Sequence, residues 1–310
     1  MDVIVQPQDG IAPLLQAINS AKKSLDLIIF RFDLKEIVKA VETAVGRGVD
    51  VRALVAHTHK GPDKRLRQLE QRMLDCGATV TRSGDDLHRY HGKALIVDRE
   101  ELRVFGFNYT AADLASRSFG VITRDRRIVQ EAVRLFEADS ARQEFEPTAD
   151  GFVVSPENAR EQLATFIKRA KKSLAIYDQR LTDVAMIKLL QQRAKAGVDV
   201  RIIGKVGKVG GAGLQAQVQK MPGLRLHVRA MIRDGDSAFV GSQSLRALEL
   251  DARREVGLIV KDATVVKRLQ EVFDEDWAKT DLGRKEHKEF EKDQKLAVAD
   301  DVVLAVPAPE

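Results

Sequence analysis

HRYHGKALIVD, His88–Asp98, sets a histidine and a lysine two positions apart at the mouth of an apolar run that closes on an aspartate. A short apolar run bounded by turn residues reads as a buried strand. Side chains two apart share one face of a strand, so His91 and Lys93 are expected to project side by side. Asp98 has the opposite parity and stands beside DREE, a hairpin-turn pattern. There its carboxylate can cap the turn or hold local backbone.

The pattern returns at LHVRAMIRD, Leu226–Asp234. His91 to His227, Lys93 to Arg229 and Asp98 to Asp234 are all steps of 136. The chain as a whole is written twice. SAKKSL at Ser20–Leu25 returns as RAKKSL at Arg169–Leu174, and RGVDVRAL at Arg47–Leu54 as AGVDVRII at Ala196–Ile203, both steps of 149. The first copy therefore holds 13 more residues, the difference between the two steps, within Ala56–Tyr90. Each copy ends on a similar helical phrase, LFEAD at Leu135–Asp139 and VFDEDW at Val272–Trp277.

Within a copy, helical and strand patterns alternate. Ile11, Leu14, Leu15 and Ile18 lie at helical spacing, LDLIIF (Leu25–Phe30) reads as a strand, and Leu34, Ile37, Val38, Val41 and Val45 mark a second helix. The second copy repeats this with LAIY (Leu174–Tyr177) and a helix from about Val184 to Gly197. The expected class is α/β: two tandem modules, each a mostly parallel mixed sheet flanked by helices. Module 1 spans 1–146 and module 2 spans 151–280, parted by the polar QEFEPTADG. Residues 281–310 form a charged tail, expected as a solvated helix or disorder.

Bulk properties set limits. The 310 residues suffice for two ordinary domains. A formal charge of +5 suits anionic partners, and 5% aromatics argues against a stacking platform for single-stranded nucleic acid. The single cysteine, Cys76, excludes a disulfide framework and is expected to be a buried thiol. MDVIVQPQDG lacks a signal-peptide pattern, and no apolar run approaches the roughly 18 residues of a membrane span. A cytoplasmic protein, at most peripheral to a membrane, is the expectation.

Each hairpin leads to a second strand and a polar turn, RVFGFNYT (Arg103–Thr110) and SAFVGSQSL (Ser237–Leu245), placing Asn108 opposite Ser244. Short polar side chains there either reach a phosphoryl oxygen or hold a turn. Two such units at matching positions resemble the HKD signature of the phospholipase D superfamily, and VFGFN and VGSQS resemble its GSxN element. The resemblance runs from about Val3 to Thr280. It implies a pseudo-twofold packing in which both H-x-K strands meet in one cleft. It implies a catalytic set of His91, Lys93, Asp98, His227, Arg229 and Asp234, with Asn108, Ser242, Ser244 and Glu255 binding substrate. His91 would be the nucleophile that forms a phosphohistidine, and His227 the acid. No metal and no other cofactor is implied.

The match is uneven. Arg229 replaces the family's lysine, Phe105-Gly106-Phe107-Asn108 loses the serine of GSxN, and Gly241-Ser242-Gln243-Ser244 loses its asparagine. The family sets a glutamate near the histidine of the same module. Glu255 in RREVG fits, while Ser118 in SRSFG stands at the other place. His57 and His59 follow a strand, and GKVGKVGGAG (Gly204–Gly213) suggests a loop with Lys205 and Lys208 near the cleft. The implied activity is phosphatidyl hydrolysis or transfer on a phospholipid, at an anionic membrane surface. A nuclease, or a phosphate-binding scaffold with a degenerate second module, are the alternatives.

Overall fold

The computed structural model describes residues 1–31, 34–57, 64–207 and 217–290. The first half runs β1 (Asp2–Gln6), α1 (Ala12–Ser20), β2 (Ser24–Ile29), α2 (Lys35–Gly46), β3 (Asp50–Val55), α3 (Lys64–Asp75), β4 (Thr79–Arg82), β5 (Arg89–Tyr90), β6 (Ala94–Val97), β7 (Glu101–Phe105), α4 (Ala111–Leu114), β8 (Ser118–Thr123) and α5 (Arg126–Ala141). The second runs β9 (Phe152–Ser155), α6 (Ala159–Lys168), β10 (Ser173–Leu181), α7 (Val184–Lys195), β11 (Asp199–Val206), β12 (Val218–Gln219), β13 (Arg229–Arg233), β14 (Ser237–Gly241), α8 (Ala247–Asp251), β15 (Arg253–Val260) and α9 (Ala263–Ala278). Residues 281–290 of the tail are helical, and the remainder of the tail lies outside the described residues.

Periodicity accounts for the helices. Leu14, Ala17 and Ile18 of α1 and Ile37, Ala40, Val41 and Ala44 of α2 are buried on one face. Asp125 caps α5 and Asp262 caps α9, each accepting two backbone N–H groups of the first turn.

The strands form two sheets, ordered β1-β8-β7-β6-β2-β3-β4 and β12-β11-β10-β13-β14-β15-β5, with β9 on β15. The α/β class and the two-sheet architecture agree with the sequence pattern. The share of parallel pairing is smaller than the pattern suggests. Within the modules it is confined to β2-β3-β4 and β10-β11-β12, with α2, α3 and α7 making the crossovers β2–β3, β3–β4 and β10–β11. The hairpins β6–β7 and β13–β14 and their neighbours pair antiparallel. Those hairpins carry H-x-K, so the site sits on the antiparallel part of each sheet.

β5 crosses from the first half into the second sheet. Arg89 and Tyr90 pair in parallel with Arg253 and Arg254. The reciprocal bridge joins Arg117 to Leu226, also parallel. Leu226 sits one step of 136 after Tyr90, and Arg254 one step of 137 after Arg117. The segment ahead of each H-x-K thus pairs with the other module. Gly106, at the end of β7, lies where the modules touch: a Cβ there would stand 2.9 Å from the Gly241 carbonyl oxygen, closer than real side chains come.

Two buried ion pairs lock this arrangement. Arg117, 1% exposed, reaches Asp276 of α9 through Nε at 2.6 Å and Nη2 at 3.0 Å. Arg254 reaches Asp139 of α5 at 2.9 Å. Tyr177 and Tyr90 each donate to the respective aspartate at 2.8 Å. Asp139 and Asp276 close the repeated helical phrases, so the likeness of LFEAD to VFDEDW preserves the anchor of a clasp between modules.

Candidate active site

His91-Gly92-Lys93 leads into β6, while Arg229, two residues after His227, opens β13. All four functional side chains are buried: His91 and His227 at 7% exposure, Lys93 at 1% and Arg229 at 6%. The backbone N–H of His91 donates to the Arg254 carbonyl at 2.8 Å, and that of His227 to the Arg117 carbonyl at 3.0 Å. Each histidine is therefore held by the strand of the opposite module.

Its carboxylate comes from the opposite module too. His91 Nδ1 lies 2.9 and 2.8 Å from the two oxygens of Glu255. The expectation of a glutamate serving the histidine of its own module is corrected: the β5–β15 pairing carries Glu255 to His91. His227 Nδ1 faces Asp113 at 3.5 Å, a looser contact. Asp113 is fixed by the N–H of Asn108 at 2.9 Å, its Nδ2 at 2.7 Å, and Arg225 at 2.7 Å. Ser118 serves here through backbone, its hydroxyl donating to the His227 carbonyl at 2.7 Å.

Lys93 Nζ donates to the His91 carbonyl at 2.7 Å and lies 2.9 and 3.0 Å from the two ring nitrogens. Phe30 meets the same ring edge-on, with centroids 4.6 Å apart. Arg229 Nε donates to Ser244 Oγ at 3.2 Å, and Nη2 reaches Gln179 at 3.5 Å. Among the described residues, Arg229 Nη1, Asn108 Oδ1 and His227 Nδ1 are buried without a hydrogen-bond partner.

Burial first, then the cations, sets the protonation of this cluster. Desolvation pulls the His91 imidazole well below its usual range, and Lys93 and Arg229 push the same way. His227 is brought down to about 3 by burial and Arg229, with Asp113 opposing. Lys93 falls to about 7 through burial, despite Glu255. Glu255 rises to about 7 through burial, against the pull of Lys93. His91 and Glu255 are best described as sharing one proton rather than as an ion pair. With an empty cleft, both imidazoles are neutral among excess cationic groups.

The polar turns hold carboxylates. The N–H of Asn108 donates to Asp113, and that of Ser244 to Glu249 at 2.8 Å, one step of 136 away in each partner. Glu249 in turn binds Arg253 at 3.2 Å and lies 3.9 Å from Arg229. Ser242 Oγ accepts the N–H of Val256 at 3.1 Å, beside Glu255. Asp113 and Glu249 were not among the expected site residues, and their common step of 136 is the signal in the sequence that links them. Gln179 and Arg253 had no such signal.

Asp98 and Asp234 are corrected outright. Asp98 accepts the N–H groups of Lys22, Lys23 and Ser24 at 2.7–3.1 Å, and Asp234 those of Lys171, Lys172 and Ser173 at 2.6–3.1 Å. Each stands at the far end of its strand, for β6 roughly 13 Å of chain at about 3.3 Å per residue. They tie the hairpin to the repeated AKKSL segment. Asp98→Ala is expected to lower stability by about 2 kcal/mol while leaving kcat within about threefold, as denaturant titration and initial rates would show. These N–H groups hold the Asp98 carboxylate below its usual range against desolvation. Its contribution is thus present above the unfolded carboxylate pKa and lost as pH falls through the lower folded value. A thousandfold loss of kcat with intact folding would return Asp98 to the reacting set.

His57 lies two residues beyond the end of β3, and its N–H donates to Ser83 at 3.0 Å. His59 and Lys208 lie outside the described residues. Cys76 is buried, and burial first raises its thiol to about 11, which fits an inert role. Among the described residues, no group of three or more His, Cys, Asp or Glu side chains is placed to hold a metal ion, and no helix is long and apolar enough to cross a membrane.

Fold and site together define a two-module α/β protein with a histidine and a cation from each module at one shared interface. The chain belongs to the phospholipase D superfamily. The family model described as "Cardiolipin synthase, PLD-like domain" matches residues 14–140 and 163–277, most of both modules. The mitochondrial cardiolipin hydrolase of Mus musculus is 28% identical over 147 residues, 47% of this chain and 63% of that protein. The polyphosphate kinase of Vibrio vulnificus is 24% identical over 281 residues, 82% of this chain and 40% of that protein. The chain thus spans less than two thirds of either relative. The phosphatidylserine synthase structure from Haemophilus influenzae superposes with a TM-score of 0.66 at 12% identity, covering 97% of this chain and 94% of that one. The polyphosphate kinase structure from Porphyromonas gingivalis gives 0.72 at 18% identity, covering 88% and 49%. At these identities the two structures speak for the fold.

Proposed function

We propose that the chain is a phosphodiesterase of the phospholipase D type, which hydrolyses or transfers a phosphatidyl group through a phosphohistidine. The reciprocal wiring carries the reading: each imidazole takes its backbone anchor and its carboxylate from the opposite module. Glu255 accepts the Nδ1 proton of His91 and leaves the Nε2 lone pair for attack on phosphorus. Lys93 and Arg229 take the non-bridging oxygens, and the partnerless Arg229 Nη1 is a free donor for one of them. His227, protonated once the phosphate anion offsets the surrounding cations, gives its proton to the departing alkoxide as the P–O bond breaks. Water or an alcohol then attacks phosphorus, yields its proton to His227, and the P–N bond breaks. The enzyme would approach a lipid surface from the aqueous side, its net positive charge favouring anionic headgroups.

Labelled phosphatidylglycerol and a labelled oligonucleotide, incubated in parallel with a chelator, test the reading. Cleavage of the lipid is expected. Cleavage of the oligonucleotide alone would transfer the site to nucleic acid, and cleavage of neither would contradict it.

Anion binding should itself be linked to pH. Lys93 titrates at about 7 when the cleft is empty. Its raised charge state below that pH favours an anion, and the advantage is lost as pH rises through it. Sulfate affinity is therefore expected to fall between about pH 6 and 9, approaching tenfold per pH unit above neutrality. Lys93→Arg should remove one proton from that dependence, as calorimetry would read. An unchanged slope in Lys93→Arg would exclude Lys93 as the titrating group.

A further inference from the structure

Beside Arg229, on the second module, lies a cavity of about 450 Å³ that the chemistry above leaves unused. Its size falls within the range of small-molecule sites, about 300–1,000 Å³. Arg180, Lys205, Lys220 and Arg246 bring four cations to its wall. None of the described lining residues is acidic. Arg246 is neutralised by Glu249 at 3.0 Å, while Arg180, Lys205 and Lys220 form no ion pair among the described residues. Met221, Leu224 and Leu226 give the cavity an apolar side.

Its position ties it to one half of the reaction. Leu226 lines it and is the residue before His227. Gln179 also lines it, accepting from Arg229 and donating to the Leu226 carbonyl. One step of 149 earlier stands Phe30, whose ring packs on His91. A glutamine on one side and a phenylalanine on the other make the two approaches to the cleft unlike. In an in-line displacement the group that leaves departs opposite the nucleophile. With His91 attacking and His227 protonating, the leaving alcohol departs toward His227 and this cavity.

We propose that the cavity binds a second phosphate carried by the leaving alcohol, so that the preferred substrate is a lipid phosphodiester with a phosphorylated headgroup. The inference rests on the phosphodiesterase reading for the direction of departure. Arg180, Lys205 and Lys220 bind the second phosphate, and the leucines and Met221 take the carbon skeleton between the two phosphates. No bond to that second phosphate changes: it is a handle, and only the P–O bond at the diester breaks.

Two lipids that differ only in this handle test it: phosphatidylglycerol and phosphatidylglycerol phosphate, in mixed micelles. The phosphorylated headgroup is expected to react with a kcat/KM about tenfold higher, a difference of about 1.4 kcal/mol. The double variant Lys205→Ala/Lys220→Ala should erase that preference by raising KM, with turnover of phosphatidylglycerol unchanged. Both lysines are exposed, so folding is not at stake. Equal kcat/KM for the two lipids, or an equal loss on both in the double variant, would overturn the subsite while leaving the phosphodiesterase reading intact. A binding arm stands apart from turnover. Glycerol 3-phosphate, followed by calorimetry, should bind about tenfold more weakly to the double variant and equally well to His91→Asn. Binding insensitive to the two lysines would reject the proposal even in a protein that turned over neither lipid.

Discussion

His91→Asn should reduce phosphodiester turnover by roughly 10⁴-fold or more, because it removes the lone pair proposed to attack phosphorus. Asparagine still offers an amide donor to Glu255, so the buried carboxylate keeps a partner and the melting temperature should move little. The large loss separates two roles for the buried ring. A histidine that merely satisfied Glu255 would be replaced by asparagine with a few-fold change in rate. Glu255→Gln is the milder companion: it keeps a hydrogen-bonding group at Nδ1 but removes the charge that stabilises the developing imidazolium, and a smaller fall in kcat is expected. A His91→Asn protein with rates within tenfold of the parent would remove His91 from the chemistry.

The second large effect concerns the clasp. Asp276→Ala leaves the Arg117 guanidinium, 1% exposed, without its carboxylate, and also removes the nearer of two acceptors of Tyr177, leaving the Val272 carbonyl at 3.2 Å. Breaking a buried pair on one side costs about 3–5 kcal/mol, which corresponds to roughly 5–8 °C in melting temperature for a chain of this size. The loss should extend to activity below the transition. Arg117 holds the His227 N–H through its own carbonyl, so a loosened Arg117 also loosens the histidine proposed as the acid. Replacing both partners, Arg117→Met with Asp276→Leu, should recover much of the stability, since no charge is then left alone. A cost below about 1 kcal/mol for Asp276→Ala would show that the packing of Phe119, Tyr177 and Phe273 holds the modules without the ion pair.

Much of this was legible in the residues because the chain repeats itself. The step of 136 linking His91, Lys93 and Asp98 to His227, Arg229 and Asp234 pointed to two equivalent hairpins, and the structure has both. A repeat identifies equivalent positions, yet it is silent on which module a side chain serves. The resemblance to the family, rather than the repeat, sets Glu255 at the histidine of its own module. The two-residue strand β5, which turns the assignment around, is too short to carry a periodic signal. Asp98 and Asp234 looked catalytic because they stand beside H-x-K in the sequence. On a strand, proximity in sequence becomes distance in space, and both carboxylates end up holding backbone. Parity along the strand had already set them apart from His91 and His227. The parallel content was overread because helix–strand alternation marks the crossovers but not the hairpins between them. Asp113 and Glu249 lie in the four- and five-residue helices α4 and α8, and Gln179 lies near the end of β10, where no hydrophobic pattern points to them.

In the proposed reaction His91 and His227 act in turn on one phosphorus atom, the first as nucleophile and the second as acid and then base. The most direct test is a single turnover of a diester with a p-nitrophenyl leaving group, labelled in the part that remains on phosphorus. It would be quenched with denaturant at alkaline pH, where phosphoramidates survive. Such a leaving group needs no acid, so His227→Asn should still form the covalent adduct and then fail to hydrolyse it. The label is predicted to accumulate in that variant on the peptide that carries His91, and to be absent from His91→Asn. Label found on His227, or on no residue in the His227→Asn protein while p-nitrophenol is released, would contradict the account.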